Sequence, residues 1–521
     1  MKQLRSMRAS LVLAVVSAVS LAQAGQSVPA KLWVDATAAT IGDTKEWTNK
    51  VEIADLNEDG RPDLLFANGG NYSEPGPPEP SRVFFNMGKG QKFVEKTTEV
   101  FGAAGDIARV IKARDLNADG IVDIVMGTTY QRQSRLFLGQ GKGAFKEATA
   151  THFPKLPLSV GDLEIGDADG DGDLDIVLAD WGPGNNMANE GGRTRLWLND
   201  GEGKFTDVTD KQMPATLVRF SWDLEFADVD NDYDLDILVS CKRCPGSLMF
   251  RNDGSGKFSE SGGGMPAYTN NYEFEAMDLD GDGFLDLVTQ NDGEIVGGQS
   301  SNRREHIFRN NGKGGFRDVT ATQWPNDANI GEDDNVVAFL DFDSDGDADF
   351  LIGSLSGPDR LLINDGKGVF TLAKDVFDGP PTPGTLGLAL ADLDGDQRLD
   401  VVQAQGENPK AVEERVFMGT GLKPDTAPPV VTMVGKADAP EGRLLVRARV
   451  HDRKSPLLST EFKRVIVELI VRGEDMPAMR PMTWYGEYLW RADLPVAPDK
   501  VSSFRVCATD AAGNTTCVDG K

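Results

Sequence analysis

Asp55-Leu56-Asn57-Glu58-Asp59-Gly60-Arg61-Pro62-Asp63, followed at once by the apolar run Leu64-Leu65-Phe66, returns in similar form six more times along the chain. The second copy supplies Asp115, Asn117, Asp119 and Asp123, and the third Asp167, Asp169, Asp171 and Asp175. Asp228, Asp230, Asp232 and Asp236 form the fourth; Asp278, Asp280, Asp282 and Asp286 form the fifth. The last two are Asp341, Asp343, Asp345 and Asp349, then Asp392, Asp394, Asp396 and Asp400. Their first aspartates stand 50 to 63 residues apart, a spacing that belongs to a repeat architecture.

Each nonapeptide has the chemistry of a cage for a hard cation. Side-chain oxygens at the first, third, fifth and ninth positions converge if the chain turns sharply at the sixth, where glycine permits a positive φ. The helical calcium loop opens the same way but closes on a glutamate at its twelfth position. Here an aspartate closes the loop and a β run follows, which places the cage in a strand–strand turn. The competing reading, solvated acidic turns without metal, leaves like charges crowded together seven times. Tyr233 and Gln397 replace the glycine in the fourth and seventh copies, which predicts weaker sites or a different turn there.

Downstream of each cage comes a second signature, as in Leu198-Asn199-Asp200-Gly201-Glu202-Gly203-Lys204-Phe205. Asn-x-Gly-x-Gly between apolar residues is hairpin chemistry, and a short strand such as Phe205-Thr206-Asp207-Val208-Thr209 follows it. Four strands per unit, seven times over, read as the blades of an all-β seven-bladed β-propeller. The seventh unit lacks its last strand, and a matching Trp33-Val34-Asp35-Ala36-Thr37 stands before the first cage. That N-terminal strand is expected to complete the last blade and close the ring.

The cages and hairpins resemble the FG-GAP/VCBS repeats of integrin α-subunit propellers and their bacterial relatives, over residues 31–424. The resemblance implies calcium in the hairpin loops, about one ion per blade and up to seven. It does not choose a function, because such repeats occur in adhesion receptors, in a lectin and beside lyase chemistry.

Composition agrees with an exported binding protein. The 82 acidic residues against 54 basic ones give a net charge of −28, which argues against nucleic acid as a partner. Twenty-six of those carboxylates belong to the cages. Lys2, Arg5 and Arg8, an apolar stretch and Ala22-Gln23-Ala24 have the layout of a secretory signal at 1–24. A membrane anchor is the alternative, but the run is short and no later segment reads as a transmembrane span. Periplasm, cell surface and medium remain equivalent destinations. The four cysteines fall into two local pairs, Cys241 with Cys244 and Cys507 with Cys517, as disulfides in an oxidising compartment would.

Alternate turns of an antiparallel blade fall on opposite faces. The face opposite the cages carries the long, variable loops, with Trp47, Tyr72, Trp181, Trp222, Tyr272 and Trp324 as candidate ligand-binding residues. Trp47, Trp222 and Tyr272 also suit a role as plugs of the blade junctions. Three residues before the cages stand Glu52, Lys112, Glu164, Glu225 and Glu275, which are expected to face the central channel, as a charge-paired lining or as a cation or ligand site. Residues 25–424 are therefore assigned to the propeller and 425–521 to a small immunoglobulin-like or fibronectin-like β-sandwich, expected to act as a spacer. The leading function is binding of an extracellular protein or glycan through the loop face. A polysaccharide lyase on the same scaffold and a structural part of an envelope assembly are the alternatives; no catalytic residues are assigned.

Overall fold

The computed structural model describes residues 31–521 apart from 72–73, 185–189, 245, 262–264, 266–270, 292, 297–298, 302–303, 380, 408–412, 459–460 and 474–475. The signal sequence assigned to 1–24 and the ligand candidate Tyr72 lie outside the described residues.

Every copy of the nonapeptide joins two antiparallel strands. In blade 1 the inner strand Thr48–Ala54 enters the cage, Asp63–Asn68 leaves it, and Arg82–Phe85 and Val94–Glu95 complete the sheet. Seven sheets repeat this order, and their inner strands, from Thr48–Ala54 round to Thr385–Ala391, pack side by side in a closed cycle. The ring closes as the sequence implies. Trp33–Asp35 pairs antiparallel with Arg415–Met418, Val34 opposite Met418, and supplies the outer strand of blade 7.

The Phe-x-Asp-x-Thr signature explains why that strand fits. In blade 3 the Thr209 amide donates to Asp207 Oδ1 at 3.0 Å, and the Thr209 hydroxyl accepts from Leu196 N at 3.1 Å. Asp35 and Thr37 repeat both bonds, to Thr37 N at 2.9 Å and Val416 N at 3.1 Å. The blade-7 sheet gains one further edge strand, Phe377–Asp378, parallel to Trp33–Asp35.

The hairpin asparagines lock neighbouring blades together. Asn199 Nδ2 donates to the Leu116 carbonyl in the preceding cage at 2.7 Å, and Asn252, Asn310 and Asn364 do the same one blade further on each time. Asn86 reaches back to Leu393 O at 2.8 Å and so ties blade 1 to blade 7. Blades 2 and 7 carry Gly139 and Gly419 at that position and lack this side-chain bond.

Beyond the ring, two four-stranded antiparallel sheets form the sandwich. One runs through Val430–Ala439 and Arg443–His451, the other through Phe462–Val471 and Val501–Asp510, around a core that includes Val446, Val467 and Val506. Both cysteine pairs are disulfides, and Cys507 faces Cys517 directly across adjacent strands.

The sandwich does not stand off as a spacer. It is seated on the cage face: the Tyr488 hydroxyl donates to Ala276 O and that of Tyr485 to Tyr233 O, both at 3.0 Å. Arg449 donates to Asp228 O at 2.9 Å and Gly283 O at 3.1 Å, and Arg453 to Gly346 O at 2.6 Å. Leu457 and Tyr488 join the apolar core of blades 4 to 6. Bonds so far apart in sequence leave no local pattern from which this docking is readable.

Candidate functional site

The cage loop is built by backbone N–H groups converging on two carboxylates. The amide at the sixth position donates to Oδ2 of the first aspartate in all seven blades, at 2.7–3.1 Å. Two residues per loop take left-handed backbone. At the sixth position, Tyr233 (φ 73°) and Gln397 (φ 66°) make the same turn as the glycines, so the expected alternative turn is not adopted. At the fourth position Glu58, Ala118, Asn231 and Ser344 are also left-handed, which the sequence pattern did not reveal.

The ninth-position aspartates are fully buried and act as braces. Oδ1 of each accepts the amide at the end of the third strand, as in Asn199 N to Asp175 at 2.8 Å, in every blade. Oδ2 accepts the second-position amide in six blades, as in Ala168 N to Asp175 at 2.9 Å. Burial, with the other cage aspartates acting in the same direction, raises the pKa of Asp175 and Asp400 to about 8 and of Asp63 and Asp123 to about 7.

The donor set fits a hard cation. In blades 3 to 7 three cage carboxylates each offer an oxygen within 4.8 Å of the others, for example Asp167, Asp169 and Asp175 or Asp392, Asp394 and Asp400. Oxygen ligands alone suit calcium or magnesium rather than a thiophilic metal. Among the described residues, Asp343 Oδ1 and Asp394 Oδ1 in blades 6 and 7 are buried without a hydrogen-bond partner, a costly state that a bound cation relieves.

Arg61 in blade 1 and Arg398 in blade 7 each pair with one cage carboxylate, Asp59 and Asp396, but in two cages a third-strand arginine bridges two of them. Arg251 pairs with Asp230 and, at 3.2 Å, with Asp236; Arg309 pairs with Asp286 and, at 3.1 Å, with Asp280. Both stand immediately before the hairpin asparagine, where the other blades carry Phe85, Leu138, Leu198, Ile363 and Met418. An arginine in an otherwise apolar register was the sequence signal for these partly neutralised cages. In blade 3, Arg491 of the sandwich reaches Asp167 Oδ2 at 2.5 Å.

On the opposite face the aromatic candidates close upon one another. Trp181, Trp222 and Tyr272 are buried in one cluster with Phe220, Leu386 and the partly buried Trp47. Trp181 stacks on Trp222 at 5.8 Å, and the buried guanidinium of Arg109 lies 4.1 Å from the Trp222 ring centroid. Lys242 bonds the Tyr272 hydroxyl. Trp324 is wholly buried, 5.2 Å from Phe350 across a blade junction, and presents no surface to a ligand. The channel residues are placed as expected: Glu52 pairs with Arg114 at 2.7 Å and Lys112 with Glu164, while Glu225 and Glu275 line the same axial cavity.

The FG-GAP-like repeat family matches residues 55–126, 115–178, 186–239 and 341–402. No curated protein matches the chain. Among solved structures, BBS1N in complex with ARL6DN aligns at 9% identity and a TM-score of 0.42, over 74% of this chain and 97% of that one. The V. cholerae biofilm matrix protein Bap1 aligns at 13% identity and 0.35, over 94% and 75%. The exotype rhamnogalacturonan lyase YesX aligns at 12% and 0.42, over 74% and 75%. Four matches to the FG-GAP-like repeat family lie in a ring of seven sheets that all carry the same cage, consistent with an FG-GAP-repeat propeller.

Proposed function

We propose that the chain is an exported, calcium-stabilised binding propeller that engages an extracellular protein or glycan through the face opposite the cages. The observation that carries the metal reading is the oxygen-only donor set with its unpartnered buried carboxylate oxygens. Calcium fills the cages of blades 1, 2, 3, 6 and 7, where no arginine of the same blade's third strand competes. In blades 4 and 5 the guanidinium of Arg251 or Arg309 takes its place.

The choice of face rests on the seating of the sandwich. Its contacts with Ala276, Tyr233 and Asp228 take up the cage side of the axis, so a large ligand has the loop side. Two disulfides suit an oxidising, extracytoplasmic compartment. Among the described residues no helix is long and apolar enough to cross a membrane. Glycan and surface-protein arrays probed with and without calcium test the proposal. Calcium-dependent binding without turnover is expected; release of unsaturated sugar products identifies a lyase instead.

A further inference from the structure

The propeller axis holds a cavity of about 120 Å³ between the inner strands and the sandwich. Its three lysine and arginine residues are already engaged. Lys50 lies 3.8 Å from Asp162 and 3.7 Å from Asp223, Lys112 is paired with Glu164, and Arg114 with Glu52. Among the described residues, four lining carboxylates form no ion pair, Glu225, Glu273, Glu275 and Glu487, although Glu273 lies in the field of Lys50. Arg449, whose charge also acts on Glu487, pairs with Asp228 and donates to two backbone carbonyls.

Each of three carboxylates uses one oxygen on backbone and keeps another. Glu225 Oε1 accepts from Ala276 N at 3.2 Å, Glu273 Oε1 from Val337 N at 3.3 Å, and Glu487 Oε2 from Tyr488 N at 2.9 Å. Among the described residues, Glu225 Oε2 and Glu273 Oε2 are buried with no hydrogen-bond partner, and Glu273 is only 3% exposed. Glu225, Glu275 and Glu487 line the same cavity, Glu225 and Glu275 from adjacent inner strands and Glu487 from the sandwich above them.

We propose that this cavity is an axial cation site, distinct from the loop cages, in which Glu225, Glu275 and Glu487 ligate one hard divalent cation of the calcium class. The volume holds an ion and about three waters at about 30 Å³ each. Glu273 faces the same space and receives those waters. The excess negative charge favours a divalent ion over sodium, and the absence of nitrogen or sulfur ligands favours a hard one. Two ligands come from blades 4 and 5 and the third from the sandwich, so the ion ties the docked domain to the ring.

Terbium replaces calcium as an anomalous scatterer in crystals of the full-length protein. The expected result is a peak on the axis, about 2.3–2.6 Å from oxygens of the three glutamates. In solution, Glu225→Gln, Glu275→Gln and Glu487→Gln are each expected to bind one calcium fewer than the parent by equilibrium dialysis. An axial cavity without a peak overturns the proposal. So does an unchanged ion count in any variant that keeps the parent's near-ultraviolet circular dichroism. If a variant fails to fold, the map of the unmodified protein decides. The loop cages appear separately in that map, so their occupancy and that of the axis are read independently.

Discussion

Replacing Arg309 by methionine should turn the blade-5 loop from an arginine-paired cage into a calcium site. The guanidinium is 7% exposed, is paired with Asp286 and Asp280, and also donates to Gln323 Oε1 at 3.0 Å and Lys367 O at 3.1 Å. Removing one partner of such a buried pair costs about 3–5 kcal/mol, because Asp286 is left without a counter-charge. In chelator the variant should be destabilised by that order. Calcium at about 1 mM acting on a site of affinity near 0.1 mM returns about 1.4 kcal/mol by linkage. The signature is therefore a calcium-dependent gain about 1.4 kcal/mol larger in Arg309→Met than in the parent, with one more ion bound. Urea unfolding with and without calcium, alongside equilibrium dialysis, measures both quantities. Equal calcium increments and equal ion counts would refute the idea that the guanidinium occupies the cation's place.

Other perturbations separate bracing from metal binding. Asp175→Ala should destabilise by about 2–4 kcal/mol even in saturating calcium, since two buried amides lose their acceptor; full recovery by calcium in urea melts would count against the brace. Asn86→Ala should cost about 1–3 kcal/mol and speed amide exchange in Arg415–Met418, because it cuts the bond from blade 1 to Leu393. Exchange no faster there than at the Asn252 junction would exclude a special closing role. Burial raises Glu414 from 4.5 to about 8 despite its bond from Thr48, so the folded state binds its proton more tightly than the unfolded chain. That contribution is full below about pH 4.5 and is lost as pH rises through 8, so stability in chelator should fall over this window. Glu414→Gln should flatten the fall; an unchanged pH slope would show that other groups set it.

The cages and their count were legible because all their ligands lie within nine residues and recur in register. The ring closure was legible because Asp35 and Thr37 repeat a signature present in other blades. What escaped was set by distance or by conformation. The bracing role of Asp63 depends on the amide of Asn86, just past the end of another strand of the sheet. The docking of the sandwich depends on pairs such as Tyr488 with Ala276, which no periodicity links. Glu58 and Ala118 give no hint of left-handed backbone, since the converging N–H groups impose it. Trp181 and Trp222 read as ligand contacts because a ring on a long loop and a ring at a blade junction look alike until their neighbours are known.

The central claim is that calcium in the cages clips the blades together, and thermal unfolding of the full-length chain in 1 mM calcium and in excess chelator tests it most directly. Five cages at about 1.4 kcal/mol each amount to about 7 kcal/mol, comparable with the net stability of a whole domain. The account predicts a large drop in Tm on chelation, reversed by calcium. Superimposable melts in the two conditions would contradict it.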